Sequence, residues 1–389
     1  MTSIQLPVSI GEALDKLSIL DIKLRHISDN RKKDVQHEYD LLYEHLKQYI
    51  EPHKFYYQKM IETNELIWND QDILRDNHET PLSDKEYTTL CKRILDTNDM
   101  RFRIKNKINN LVNSDIREQK GYAVKKGLFI GHMGLGDVIN LLGAIRYYSI
   151  IYDELYIIVK EQYKSNIYAL IGNDPSIHYL DISYIHPNCI ELQLSYKLIK
   201  EFAKINNCTP LVCGQYLEEC HSFNEVPYNF YRDLGLPDNY YQKYFYLPMY
   251  TEQQELLDCI NAITDRIVFT HIKASNVEIK YNKELNPDIF YCDPCTSHYK
   301  PGDRFYELSQ KMLNHPIIAY TKIIEAAEEI YVIDSVFACL SAQLNTAKAG
   351  TNKYMFVRTI IFNFNNKPQI SYTFGKDTWK DFTITYIAT

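Results

Sequence analysis

The sequence lacks the features that mark several large classes of protein. It has no run of the roughly 18 apolar residues that a membrane-spanning helix needs, and no charged-then-apolar leader opens it. Its formal net charge of −7 argues against a general nucleic-acid binder, which carries a basic excess. Its nine cysteines follow no framework spacing. We therefore expect reduced thiols, a cytoplasmic location, no membrane span and no nucleic-acid partner.

Metal-binding patterns are equally scarce. Cys292-Asp293-Pro294-Cys295 is a lone CxxC, and a structural zinc site needs a second pair of ligands, of which His298 supplies only one. No DxD-like pair of carboxylates stands out as a metal site. The sequence therefore predicts no metal and no other cofactor.

The length and composition indicate a folded protein with several domains. At 389 residues the chain is long for a single core, and its apolar fraction of 45% is that of a globular protein. The hydrophobic pattern changes twice along the chain. We predict a helical domain over residues 1–120, followed by two Rossmann-like α/β domains over residues 121–250 and 251–389.

The first segment is predicted to be all-helical. Its apolar residues recur at three- and four-residue steps, beginning with Ile10, Leu14, Leu17, Leu20, Leu24 and Ile27. Ser9 stands at an N-cap position with Glu12 three residues later, which is typical of a capping box. A long second helix is expected over Lys33–Asp76, with a break near Glu51-Pro52. A third helix follows Ser83-Asp84, and the set is typical of an antiparallel bundle.

The end of this segment is basic. The cations are Arg93, Arg101, Arg103, Lys105, Lys107, Arg117, Lys120, Lys125 and Lys126. A solvated helix face and a site for an anionic glycan or phosphate are both consistent with such a run.

Beyond Lys126 the pattern becomes that of alternating strands and helices. A strand at Gly127–Ile130, a helix through Val138 and Tyr148, and a strand at Leu155–Val159 form a βαβ unit, which implies a parallel sheet. A second series begins with a strand at Arg266–His271. Between the two series, the stretch Tyr228–Tyr250 is rich in Tyr and Pro and is predicted to be a loop or linker.

The loop Gly131–Asp137 joins the first strand to its helix. Gly134 and Gly136 supply two glycines of a dinucleotide-binding GxGxxG pattern, but the third is missing. Asp137 would place a carboxylate where a pyrophosphate needs the positive end of the helix. Proton transfer by Asp137 and simple capping of the helix both remain open. His132, in the same loop, either contacts a substrate or is incidental.

The segment Gly134–Ile139, with Ala144–Arg146 after it, resembles the opening of the lipopolysaccharide heptosyltransferase-type enzymes of the GT-B fold (glycosyltransferase family 9-like). The resemblance implies that Asp137 is the general base that deprotonates the acceptor hydroxyl. This chain has Gly143 where the family usually has a proline.

A second element, in the last third of the chain, ends the strand Tyr331–Ile333 with Asp334-Ser335 and then enters a helix. The start of a helix that carries a serine hydroxyl favours anion binding, and capping by Asp or Ser is the alternative. The same family carries an Asp-Ser-Gly element here that contacts the nucleotide-sugar. In this chain Val336 replaces the glycine, and the family's following histidine has no match.

Four further residues are assigned to the donor site, and three of them lie at or just after the end of the strand Arg266–His271. Lys273 would neutralise the donor diphosphate, and Ser275 lies two residues later. His271-x-Lys273 is similar to the His-x-Arg element of fucosyltransferase-like GT-B enzymes, although lysine lacks the bidentate fork of arginine. Glu325 would hydrogen-bond the donor ribose, unless it is a solvated surface residue.

The N-terminal helices resemble a family of uncharacterised helical domains, the DUF6165-like family, through Val8–Leu20 and Asn98–Arg101. The resemblance supplies no chemistry for this segment. We predict that it supports a homo-oligomer, unless its apolar face packs only on its own neighbours.

These observations predict a metal-independent glycosyltransferase, hexosyl- or heptosyltransferase-like, that binds a nucleotide-sugar and a glycan acceptor. Two other functions stay open. One is a nucleotide-dependent oxidoreductase or epimerase that uses the first Rossmann-like half. The other is a non-catalytic glycan- or nucleotide-sugar-binding protein with a degenerate GT-B fold.

Overall fold

The structure is a computed structural model. It describes residues 6–76, 81–121, 123–131, 134–185, 194–217, 226–273, 279, 284–350, 352–364, 367–371 and 379–388. It divides into two compact units. The first comprises Met1–Lys125, Tyr148–Glu154 and Asp174–Ile177, and the second comprises Lys126–Tyr147, Leu155–Asn173 and His178–Thr389. The predicted division into three domains, at 120/121 and 250/251, stays a prediction. Within the described ranges, no helix is both long and apolar enough to cross a bilayer.

Among the described residues before the first strand there are four helices, in agreement with the predicted all-helical segment. They are α1 (Ile10–His26), α2 (Arg31–Ile50), α3 (Lys54–Arg75) and α4 (Asp84–Leu111). The expected long second helix is interrupted by a turn at residues 51–53, which separates α2 from α3 next to Pro52. The Ser83 hydroxyl and the Glu86 carboxylate form a full capping box at the start of α4. At α1 only half of the predicted box forms, because the Glu12 carboxylate bonds Lys105 instead.

A polar network runs through the interior of this helical unit. Asp15, which is 1% exposed, accepts hydrogen bonds from the Arg101 guanidinium and from the Asn64 amide. The Asn109 side chain accepts from the Gly11 amide, and a Cβ on Gly11 would lie 2.4 Å from the Lys105 carbonyl oxygen. The motif Val8–Leu20 therefore supplies the buried polar contacts that join α1 to α3 and α4.

Most cations of the basic run in α4 are ion-paired. Arg93 pairs with Asp70, Arg101 with Asp15, and Arg103 with Asp99. The Lys107 ammonium lies 2.5 Å from the Asp174 carboxylate, and both side chains are only 2% exposed. Arg103 and Lys107 are buried, so they belong neither to a solvated face nor to an open anion site, because a buried charge must be matched by a partner. The Arg93 side chain is 58% exposed and stays on the solvated face.

The first sheet has the strand order β3-β2-β1-β4, and β1 and β4 run parallel. Its strands are β1 (Lys126–Ile130), β2 (Glu154–Val159), β3 (Ile177–Asp181) and β4 (Thr209–Val212). The helices between them are α5 (Leu135–Ile151), α6 (Lys164–Ile171) and α7 (Tyr196–Ile205). The apolar strand residues Leu128, Ile130 and Ile158 pack with Ile199 of α7 in one core.

The segment Tyr228–Tyr250 is not the loop or linker that its composition predicts. It contains α8 (Tyr228–Asp233) and α9 (Tyr240–Lys243). Tyr231 and Tyr241 are buried and meet edge to face, with their ring centroids 6.0 Å apart. These two tyrosines fill a core, because each ring buries a large apolar area.

The second sheet has the order β10-β8-β7-β5-β6, with every pair along this path parallel, and β9 pairs antiparallel with β8. Its strands are β5 (Ile267–His271), β6 (Phe290–Cys292), β7 (Glu329–Ile333), β8 (Lys353–Phe364), β9 (Lys367–Ser371) and β10 (Thr383–Ala388). The accompanying helices are α10 (Thr251–Asn261), α11 (Tyr306–Lys311), α12 (Thr321–Ala326) and α13 (Val336–Ser341). The prediction of an α/β protein is thus confirmed as far as the two parallel sheets and the preceding helices are concerned.

Candidate functional site

Each sheet has a strand on both sides of which the chain continues. In the first sheet, the chain moves from β1 to β2 and β3 on one side, while β4 lies on the other side of β1. In the second sheet, β6 and β7 lie on opposite sides of β5. Ligands of open α/β sheets bind at the carboxyl ends of strands at such switch points. The loop after β1 and the segments after β5 and β7 lie there, and they carry most of the predicted site residues.

The loop after β1 is shaped by close contacts at its glycines. A Cβ on Gly131 would lie 2.5 Å from a methyl carbon of Leu141, so any side chain there would force the Leu141 side chain to move. The Asp137 Oδ2 atom lies 2.7 Å from the place where a Cβ on Gly134 would stand. The half-buried carboxylate is therefore folded back over the loop, at the first turn of α5.

The ends of β5 and β7 are joined by a side-chain contact. The register of the two strands places His271 opposite Val332, three residues before Ser335. The Ser335 Oγ atom lies 3.0 Å from His271 Nδ1, and the hydroxyl makes no hydrogen bond that caps α13. Burial lowers the pKa of His271 from 6.5 to about 4, so the ring is neutral at pH 7. The Ser335 hydroxyl is thus oriented by His271 and does not cap α13.

The first turns of α5 and α13 touch each other. A Cβ on Gly136 would lie 3.3 Å from the Cys339 sulfur and 3.6 Å from the Val336 amide nitrogen. The negative charges of Asp137 and Asp334 add to burial in raising the pKa of the Cys339 thiol, so both carboxylates lie near the same sulfur. The structure therefore brings Gly134, Gly136 and Asp137 together with the Asp334-Ser335 element and His271.

Other predicted residues are placed differently. Lys273 follows β5 and is exposed to solvent. Glu325 lies near the end of α12, which leads into the start of β7, so it is at the edge of the sheet opposite to Ser335. Burial raises the pKa of Glu325, and its carboxylate accepts a hydrogen bond from the Asn345 amide. The structure does not bring Glu325 to the site. His132 and Ser275 lie outside the described residues.

One polar group at this edge was not assigned from the sequence. The Thr270 hydroxyl lies 2.7 Å from His298 Nε2 and 3.2 Å from the Asp293 carboxylate. Asp293 also accepts from the Cys295 and Thr296 amides, which folds the turn after β6. The only signal in the sequence was the CxxC, in which Cys292 is buried and Cys295 exposed. Across the described ranges, no three His, Cys, Asp or Glu side chains are grouped to hold a metal ion.

Comparisons with known proteins give the following matches. Residues 4–128 match a family described as "Family of unknown function (DUF6165)", which confirms the resemblance predicted for the helical segment. No curated protein matches the chain. A solved structure of the glycosyl transferase family 9 from Veillonella parvula DSM 2008 is 9% identical, with a TM-score of 0.38, over 69% of this chain and 89% of that one. The E. coli heptosyltransferase WaaC with ADP is 12% identical, with a TM-score of 0.30, over 67% of this chain and 90% of that one.

Proposed function

We propose that the chain is a glycosyltransferase of the GT-B type, which moves a sugar from a nucleotide-sugar to the hydroxyl of a glycan or other acceptor without a metal ion. One observation carries the proposal. The turn that holds Asp137, at the switch point of the first sheet, contacts the turn that follows Asp334-Ser335, at the switch point of the second. A base and a polar binding element thus meet at one place, as a transfer between two substrates requires.

On the donor side, the nucleotide-sugar would lie at the carboxyl ends of β5 and β7. Ser335, held by neutral His271, offers a hydroxyl to the donor, and Lys273 offers a positive charge. The leaving nucleoside diphosphate gains negative charge as the sugar bond breaks, so a nearby cation stabilises the transition state more than the ground state.

On the acceptor side, Asp137 would take the proton of the attacking hydroxyl. The acceptor oxygen forms a bond to the anomeric carbon, the bond from that carbon to the diphosphate breaks, and the proton passes to the carboxylate. A general base in this position contributes about 10²- to 10⁴-fold to a rate. In this chain Val336 stands where the resembling family has the glycine of its Asp-Ser-Gly element. The Val336 backbone packs on Gly136, so at this contact the glycine belongs to α5 and not to the element after β7.

A donor-hydrolysis screen tests the proposal. Wild type is incubated with UDP-, GDP-, ADP- and CMP-sugars, and nucleotide release is compared with that of Asp137→Ala and Asp137→Asn. We expect turnover of one donor class and a loss of at least about 100-fold in both variants. Asp265→Ala, an exposed aspartate in the turn before β5, is the matched control and should keep full activity.

Other results would point to the alternatives. Undiminished turnover in both Asp137 variants would remove the base from the mechanism. Nucleotide-sugar binding by calorimetry without turnover, even with added glycan acceptors, would indicate a non-catalytic binding protein. A change in nicotinamide fluorescence on mixing with NADH or NADPH would favour the oxidoreductase or epimerase.

A further inference from the structure

Helix α5 is held from two sides immediately after the turn that carries Asp137. The Gln343 Nε2 atom donates to the Ile139 carbonyl at 3.0 Å, and the Tyr231 hydroxyl donates to the Asn140 carbonyl at 3.1 Å. Two consecutive carbonyls of the helix, two and three residues beyond Asp137, thus accept side-chain hydrogen bonds. Side chains that bond carbonyls inside a helix fix its local path.

The contact of Tyr231 is buried and bonded in both directions. The ring is fully buried, and the hydroxyl also accepts hydrogen bonds from the Gly143 and Ala144 amides, the latter at 3.2 Å. The hydroxyl therefore joins Asn140 and Ala144, the carbonyl and amide that close one turn of α5. Burial raises the pKa of Tyr231, so the proton that it donates is retained at physiological pH.

The close approach of Tyr231 depends on Gly143. A Cβ at position 143 would lie 2.5 Å from the Tyr240 carbonyl oxygen and 2.7 Å from the Tyr231 hydroxyl. No larger residue fits without moving the backbone of α9. Gly143 thus makes room for the Tyr231 hydroxyl to reach the helix.

The contact of Gln343 joins α5 to the segment that follows α13. Gln343 follows α13, the helix that begins after Ser335, while the carbonyl it bonds lies in α5. Between them the Asn140 amide approaches the Cys339 sulfur at 3.5 Å. A shift of α13 along α5 would break the bond from Gln343 to Ile139.

We propose that Gln343 and Tyr231 are positioning residues, which clamp α5 so that Asp137 is held at a fixed place relative to Asp334-Ser335. This inference rests on the proposed function, in which Asp137 is the base. Tyr231 fixes the turn from the side of α8, and Gln343 fixes it to the element that carries the donor site. Proton transfer needs hydrogen-bond reach, so a displacement of about 1 Å lowers the rate while substrate binding is retained.

The test uses variants that remove the group that bonds the α5 carbonyl and keep the size of the side chain. They are Gln343→Met and Tyr231→Phe, measured with the nucleotide-sugar that wild type hydrolyses in the screen. We expect kcat to fall about tenfold in each, with KM within about twofold, because each loses the hydrogen bond that holds a carbonyl of α5. Tyr231→Phe also loses the bonds from the Gly143 and Ala144 amides. In an Asp137→Asn background the same substitutions should change kcat by less than about twofold, because the group they position is gone.

Two controls match these changes elsewhere in the same unit. Gln253→Met removes a buried amide that donates to Thr321 and accepts from the Tyr250 amide. Tyr320→Phe removes a hydroxyl that likewise bridges a backbone amide and a carbonyl, at His315 and Met312. Both should leave kcat unchanged. Amide hydrogen exchange over 138–147 should quicken in Gln343→Met and Tyr231→Phe but not in the controls.

The possible failures are separable. An active enzyme whose kcat is unchanged in Gln343→Met and Tyr231→Phe, or falls equally with and without Asp137, overturns the clamp and leaves the proposed function intact. If wild type turns over no donor, the proposed function fails, and the catalytic role of the clamp fails with it.

Discussion

The polar side chains buried around Asp15 are hydrogen-bonded to one another, whereas several of those buried where α5 meets the α13 region have polar atoms that find no partner among the described residues. In the helical unit, Asp15, Ser18 and Asn64 bond each other, and Arg101 completes the group. Near α13, three buried atoms have no hydrogen-bond partner among the described residues: Asn140 Oδ1, Ser341 Oγ and Gln343 Oε1.

The difference separates two uses of buried polarity. A network of fully bonded polar groups stabilises one arrangement of the helices. Removing one of these groups leaves its partners buried without a hydrogen bond, which costs free energy. A buried polar atom without a partner costs free energy in the folded state, so its retention calls for a different explanation. The contact between α5 and α13 is where we place the base and the donor element. We infer that polarity serves the fold in the first group and the site in the second.

The largest effect on stability is expected at Asp15. Asp15→Ala leaves the Arg101 guanidinium, 27% exposed, and the buried Asn64 amide without their shared acceptor. We expect the free energy of unfolding to fall by about 3 kcal/mol, as measured by urea denaturation followed by circular dichroism. Asp72→Ala breaks the exposed pair with Arg75 and should cost less than about 1 kcal/mol. Equal losses in the two variants would contradict a structural role for the network.

A smaller effect on stability is expected when the pH is lowered, and it arises at His271 in β5. His271 has a folded pKa of about 4, below its unfolded value of 6.5, because it is buried. Its neutral form therefore supports the fold in full above pH 6.5, and that contribution is lost as the pH falls towards 4. Between pH 7 and pH 5 we expect His271 to account for about 1–2 kcal/mol of the loss in stability.

The measurement compares wild type with His271→Gln by urea denaturation at both pH values. The variant should lose less stability than wild type on acidification. His45→Gln, an exposed histidine of α2, is the control and should follow wild type. If His271→Gln loses as much unfolding free energy as wild type between pH 7 and pH 5, then burial does not keep the His271 ring neutral.

The same two regions show what the sequence could predict. The helical periodicity, the break at Pro52 and the strand before Gly131 follow from local patterns, and these predictions are confirmed. The role of Ser335 was less accessible, because an N-cap serine and a serine bonded to His271 look alike until the strand register is known. The tyrosines of Tyr228–Tyr250 were interpreted as a linker, since their burial depends on α5, which is distant in sequence.

Other differences have the same origin. The strands β6, β8, β9 and β10 were not predicted; β6 has only three residues, and its burial comes from pairing with β5. Glu325 was assigned to the donor site from its position before the Asp334 strand, yet α12 enters that strand at its opposite end. The direction in which each strand runs decides which loops lie at the same edge of a parallel sheet. No local sequence pattern encodes that direction.

The smallest effect is expected at Asn140, and the sharpest test of the comparison makes the same substitution there and at Asn64. Asn64→Leu removes the amide that bonds Asp15 and Ser18, and should cost about 2 kcal/mol of unfolding free energy. Asn140→Leu removes an amide whose oxygen has no partner among the described residues and whose nitrogen meets only the Cys339 sulfur. Replacing such a group by an apolar one of similar shape should change stability by less than about 0.5 kcal/mol. Both asparagines are at least 95% buried, so their different surroundings and not their burial would separate the two results. If Asn140→Leu costs as much as Asn64→Leu in urea denaturation, the contact between α5 and α13 is a structural network like the other, and the contrast between the two regions fails.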